Sequence, residues 1–128
     1  MPIIKKENNM SEWLFDRNGN ASAILDRDCV RSNSGDVISW ISDQNVYSLN
    51  GNHIGWFDRG VIYDSDNDVV GFTRNATGPL PSRPGLSETP SIQGFSGRPG
   101  SPSFGGVPGR PGYGGWSKHD LKQYLKQN

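Results

Sequence analysis

Asp64, Asp66 and Asp68 carry the 1,3,5 spacing with which a calcium loop opens. Such a loop also needs glycine at its sixth position and a bidentate glutamate at its twelfth, and here those positions are Val69 and Asn75. The three acids therefore read as turn residues, and no metal is expected. His53 and His119 are the two histidines and Cys29 the one cysteine, which does not make a zinc set. Arg27 and Arg31 flank Cys29 and would favour a thiolate; the competing reading is a buried, inert thiol. No phosphate loop, nucleophile elbow or paired carboxylates are present in the sequence. The expectation is a protein that is not an enzyme and holds no cofactor.

What remains is chemistry of contact. In the last residues, Ser117 stands as a helix N-cap with Asp120 at N3, while Trp116 and Leu121 take the N′ and N4 positions of a hydrophobic staple. Leu121, Tyr124 and Leu125 then share one face of a helix of about ten residues, with Lys118, Lys122 and Lys126 on another. A helix that short is unstable alone in water and needs a groove, on its own chain or on a partner. Trp116, Leu121, Tyr124 and Leu125 are thus candidate partner-binding residues. Phe15, Tyr47 and Tyr63 are the second candidate set: they share one column of a repeat, with Arg31 as its fourth member. If that column packs, it is core; if exposed, it is a ring-shaped patch for a partner.

The repeat that aligns them runs from Trp13 to Thr73 with a period of sixteen residues. Gly19, Gly35, Gly51 and Asn67 mark equivalent points at the ends of four turns that open with Asp or Ser. Glycine, and next asparagine, best tolerates the left-handed conformation that a type I turn with a bulge demands. Leu14, Val30, Val46 and Ile62 form an aliphatic column that should face a core. Ala23, Ser39, Gly55 and Gly71 form a column of small residues, which implies close approach by a neighbouring hairpin's backbone or by a ring. One hairpin cannot bury its own apolar face, and an open row of four would leave two raw ends. The predicted fold is therefore all-β: four hairpins closed about a pseudo-fourfold axis, with a Gly/Pro-rich tail and a short C-terminal helix.

The units around "WLFDRNGNASAIL", "VYSLNGNHIGWF" and "VIYDSDNDVVGF" resemble the bacterial four-fold β-flower proteins over residues 12–76. That resemblance implies four β-hairpins around a pseudo-fourfold axis, no established activity and no catalytic residues. The first unit departs from the pattern, with Ala23-Ile24 where others have Ser or Gly followed by an aromatic.

The domain reading is a flexible N-terminus (1–11), a hairpin-repeat domain (12–76), an extended linker (77–115) and the helix (116–128). Glycine and proline make up 26 of the 128 residues, concentrated in the linker with Arg-Pro-Gly at 83–85, 98–100 and 110–112. Residues 1–73 have net charge −5 and residues 74–128 net +5, so the tail could attract the head, seek an acidic partner, or be merely solvated. Its scattered hydrophobes, Leu80, Leu86, Ile92, Phe95, Phe104 and Tyr113, could dock on the head or on another subunit, or the tail could be plain disorder. An acidic head and a tail poor in aromatics argue against nucleic acid. No run is long enough to span a bilayer, and no signal peptide is read at the N-terminus, so a cytoplasmic protein is expected with leaderless export left open. Translation could begin at Met1 or at Met10, which directly precedes the repeat. The functional expectation is an interaction or adaptor module whose partner is a protein, or self-association through the tail in a homo-oligomeric assembly.

Overall fold

The computed structural model describes residues 11–92, 95 and 97–127. Eight antiparallel strands close into a barrel in sequence order: β1 (Ser11–Phe15), β2 (Ala21–Asp26), β3 (Cys29–Ser32), β4 (Val37–Ser42), β5 (Asn45–Ser48), β6 (His53–Asp58), β7 (Val61–Tyr63) and β8 (Val69–Thr73). Closure comes from β1 pairing with β8, Leu14 opposite Thr73 and Phe15 opposite Phe72. No sheet edge is left to template another chain. Of the expected N-terminal segment, Ser11 already belongs to β1 and the rest lies outside the described residues.

The four sixteen-spaced turns are closed by the same pair of backbone hydrogen bonds. In the first, the Gly19 amide donates to the Asp16 carbonyl (2.9 Å) and the Asp16 amide to the Asn20 carbonyl (3.0 Å). Gly19, Gly35, Gly51 and Asn67 all have positive φ, between 66° and 100°. The ladder slips by one residue beside each turn, so two residues of the second strand face one of the first. The units are joined at the other end by two-residue connections. Asp43-Gln44 and Arg59-Gly60 take positive φ at both positions, which matches strand twist in a tight hairpin.

The barrel is filled, as eight-stranded barrels are. Leu14, Val30, Val46 and Ile62 point inward and pack with Ile38, Ile54 and Val70. Close neighbours explain the glycines of the small column. A Cβ on Gly55 would collide with the Tyr63 carbonyl oxygen of the neighbouring hairpin, and one on Gly71 would meet the Leu121 side chain at 2.8 Å and the equivalent Phe15 oxygen at 3.1 Å.

One end of the barrel is stopped by α1 (Leu121–Leu125), whose two leucines are fully buried and join the barrel's inner cluster. Tyr124 anchors the stopper: its hydroxyl donates to the Ile54 carbonyl (2.6 Å) and accepts from the Ser65 amide (2.9 Å). The helix is shorter than the ten residues expected, and its N-cap is Asp120, whose carboxylate accepts from the Gln123 amide. The Ser117 hydroxyl accepts from the His119 amide (3.0 Å), but that turn does not run on into the helix: the hydroxyl donates to Asp64 Oδ2 (2.6 Å) and the amide to the Val69 carbonyl, so the chain is still pinned to β8 at that point. Trp116 accordingly sits on the outer wall beside Phe72 instead of stapling the helix.

Candidate functional site

The outer wall of the barrel carries an aromatic layer: Phe15, Tyr47 and Tyr63 from the strands before the turns, Trp40, Trp56 and Phe72 from those after them. All six are at most 5% exposed. They are covered by residues 77–115, which form no helix or strand among those described but lie extended around the barrel like a belt. Leu86 joins the cluster that contains Phe15. The Arg31 guanidinium lies 4.3 Å over the Phe95 ring. Phe104 stacks on Tyr47 at 4.1 Å, and Tyr113 meets Tyr63 edge-on at 6.2 Å. The Phe15/Arg31/Tyr47/Tyr63 column is therefore packed, and each member has its own cover from the belt.

These four belt residues are nine apart. They share a local spelling, Pro84-Gly85-Leu86, Pro102-Ser103-Phe104 and Pro111-Gly112-Tyr113, with glycine also preceding Phe95. This register was the sequence signal for the belt, and reading the hydrophobes as scattered overlooks it. Nine extended residues reach at most about 28 Å. Two strand spacings cover about 10 Å, so each step leaves slack to pass outside the aromatic layer.

Backbone and charge fix the belt in place. The Ser87 amide donates to the Gly19 carbonyl (2.8 Å) and the Gly105 amide to the Gly51 carbonyl (2.8 Å), two equivalent turn positions. All three Arg-Pro-Gly arginines are anchors. Arg83 donates to the Ala76 carbonyl. Arg98 pairs with Asp28 and Asp26, and donates to the Asp26 carbonyl at 2.9 Å. Arg110 reaches Asp58 (3.5 Å) and Asn67 Oδ1 (2.8 Å) while lying 4.6 Å over the Tyr63 ring. The opposite charges of head and tail are thus brought together within one chain.

Asp26 is the centre of a charge cluster with Arg27, Arg31 and Arg98. It is buried, accepts from Arg31 Nε at 2.8 Å, and has Arg98 on its other side. Burial alone would raise its carboxyl, but the Arg31 hydrogen bond and the charges of Arg98, Arg31 and Arg27 outweigh it and hold the group below its ordinary range. Cys29, next to this cluster, is fully buried. Burial is the largest influence on its thiol and raises it above the usual value, despite Arg98 and Arg31. Cys29 is thus the inert thiol of the two readings. Its alkylation by iodoacetamide at neutral pH is expected to be at least about tenfold slower in native protein than in urea, followed by intact mass; equal rates would contradict this placement.

Asp64, Asp66 and Asp68 come within 4.8 Å of one another through their carboxylates. Asp64 is already committed, however: its Oδ1 accepts from the Asp66 and Asp68 amides, and its Oδ2 from Ser117. The triad closes a turn and pins the C-terminal segment. His53 lies on the outer wall, bonded to Asn45 Oδ1 (3.0 Å) and edge-on to Tyr47; burial lowers its pKa.

The expected partner-binding residues are accordingly distributed between two intramolecular contacts. Phe15, Tyr47 and Tyr63 lie under the belt, Leu121 and Leu125 in the barrel mouth, and Trp116 and Tyr124 half-buried at the junction of the two. The family model described as 4-fold beta flower protein matches residues 12–125 of this chain. The chain belongs to that family. The match to this β-flower protein runs from the first strand to the last residue of the helix. No curated protein and no solved structure matches the chain. No described helix is long and apolar enough to cross a membrane.

Proposed function

We propose that this β-flower protein is a non-enzymatic protein-interaction or adaptor module of the cytoplasm, acting on a protein partner and not on nucleic acid. We read its frame as four sixteen-residue hairpins about a pseudo-fourfold axis, with the Gly/Pro-rich tail as a built-in outer layer. The supporting observation is where apolar surface remains. The exposed large hydrophobic side chains among the described residues are Phe104, Val107 and Tyr113, all within ten residues of the belt. Two of them are held from below by Tyr47 and Tyr63, so the patch is presented on a rigid support. Interfaces favour such preorganised aromatic anchors.

Val107 is the residue to test, because it is half exposed and belongs to none of the buried clusters. Affinity capture with the full chain is expected to recover a partner that Val107→Glu loses, with an unchanged melting temperature. Equal recovery by both proteins would defeat the reading. A second arrangement has its own support: among the described residues, apart from an indole–hydroxyl contact between Trp116 and Ser82, the belt's hydrogen bonds run to the barrel and to the segment leading off β8. The same contacts made to a neighbouring head would build a homo-oligomeric assembly, and light scattering at rising concentration separates the two.

A further inference from the structure

One quarter of the wall is built differently from the other three. Where the later units place Trp40, Trp56 and Phe72 on the outer face, the first has Ile24. The smaller side chain leaves a groove of about 490 Å³ between Ile24 and the belt. That volume lies in the range of small-molecule sites, about 300–1,000 Å³.

Its lining is chemically lopsided. Trp13, Ile24, Pro90, Ile92 and Phe95 make it apolar. The Trp13 indole N–H donates to the Pro90 carbonyl (3.0 Å), which fixes the ring and spends its polar edge on the belt. Around this body stand serine and asparagine side chains and one charged group, the carboxylate of Glu88. Among the described residues, no basic side chain lines the groove.

We propose that this groove is a binding site for a small organic amine: a flat apolar ring of one or two cycles bearing a protonated amino group. The ring replaces the aromatic side chain that the first unit lacks and packs between Trp13 and Phe95. The ammonium pairs with Glu88 and faces the electron-rich indole, an arrangement that favours cations over neutral or anionic analogues. A carboxylate on the same ring meets Glu88 as the one charge of the described lining and is repelled, because the Arg31 guanidinium against Phe95 is already paired with Asp26.

The test uses the isotope-labelled full chain titrated with 2-phenylethylamine, 2-phenylethanol and 3-phenylpropanoate, reading the Trp13 indole and Ala21 amide resonances. The amine is expected to shift both and to bind about tenfold more tightly than the carboxylate. Glu88→Gln is expected to remove that preference while leaving alcohol binding unchanged. Ile24→Trp, which restores the bulk of the other units, is expected to abolish all three; should it fail to fold, the Glu88→Gln comparison decides alone. No shift at Trp13 with any probe, equal binding of the three, tighter binding of the carboxylate, or an amine preference that survives Glu88→Gln overturns the proposal.

Discussion

Leu121→Ala and Leu125→Ala are each expected to destabilise the protein by about 2–5 kcal/mol, although they lie at the far end of the chain on a helix of five residues. Both side chains have no solvent exposure and pack into the inner cluster with Val70, Ile54 and Ile38. Each truncation removes buried methyl groups and leaves a hole in a barrel whose strands are tied on both sides and cannot collapse into it. A domain of this size has about 5–15 kcal/mol of stability to lose. The double variant is therefore expected to be largely unfolded at physiological temperature. Urea midpoints by circular dichroism and tryptophan fluorescence check both statements. A double variant with a midpoint close to that of the original protein would show that the barrel mouth does not depend on the stopper. The same reasoning bears on deletion of residues 78–128, which strips the cover from six buried aromatics as well as removing the stopper. Loss of partner recovery in such a truncation would report unfolding, which is why Val107→Glu in the full chain is the cleaner probe of function.

The barrel was legible wherever its determinants are local and repeated. A turn needing left-handed backbone every sixteen residues leaves glycine or asparagine at Gly19, Gly35, Gly51 and Asn67, and all four have that conformation. The aliphatic column and the small column likewise declare an inside and a close neighbour. The connections between units are less legible. Asp43, Gln44 and Arg59 adopt positive φ without being glycine, so residue type gives little warning of a tight turn. The helix boundary is hidden for a different reason. Ser117 meets the local rule for an N-cap, its hydroxyl accepting from the His119 amide, but its own amide is held by the Val69 carbonyl and its hydroxyl donates to Asp64, 53 residues earlier in the chain, so the helix begins only after Asp120. The aromatic column Phe15/Tyr47/Tyr63 is ambiguous in sequence because covering it depends on a tail whose composition signals disorder. The composition is a poor guide here because the belt does not fold on itself: its hydrophobes pack on the aromatic wall of the barrel. The nine-residue step of Leu86, Phe95, Phe104 and Tyr113 is the trace of that wall in the sequence.

Asp26→Ala is expected to cost about 3–5 kcal/mol, the range for breaking a buried ion pair by removing one partner. The cost arises mostly from what stays behind. Arg31 occupies the position that holds an aromatic ring in the other units, and its side chain is only 3% exposed. Its charge is tolerable there because the Asp26 carboxylate accepts from Nε, while the Gly35 carbonyl accepts from Nη1 (2.7 Å). Without Asp26 the buried guanidinium loses the carboxylate that accepts from its Nε, and Arg98 loses one of its two acidic anchors. Replacing both members with apolar residues, Asp26→Leu with Arg31→Met, removes the buried charge together with its partner and is expected to recover most of the loss. Acid gives an independent reading of the same contact. The Asp26 carboxyl is held below its ordinary value in the folded protein, so the unfolded chain takes up that proton first as pH falls. The stabilisation is therefore fully present above the unfolded value of about 3.9 and is lost as pH drops through the folded one. The gap in urea midpoint between the original protein and Asp26→Ala should be widest near neutrality and narrow steadily below about pH 4. A gap independent of pH would assign the cost to lost packing instead of charge.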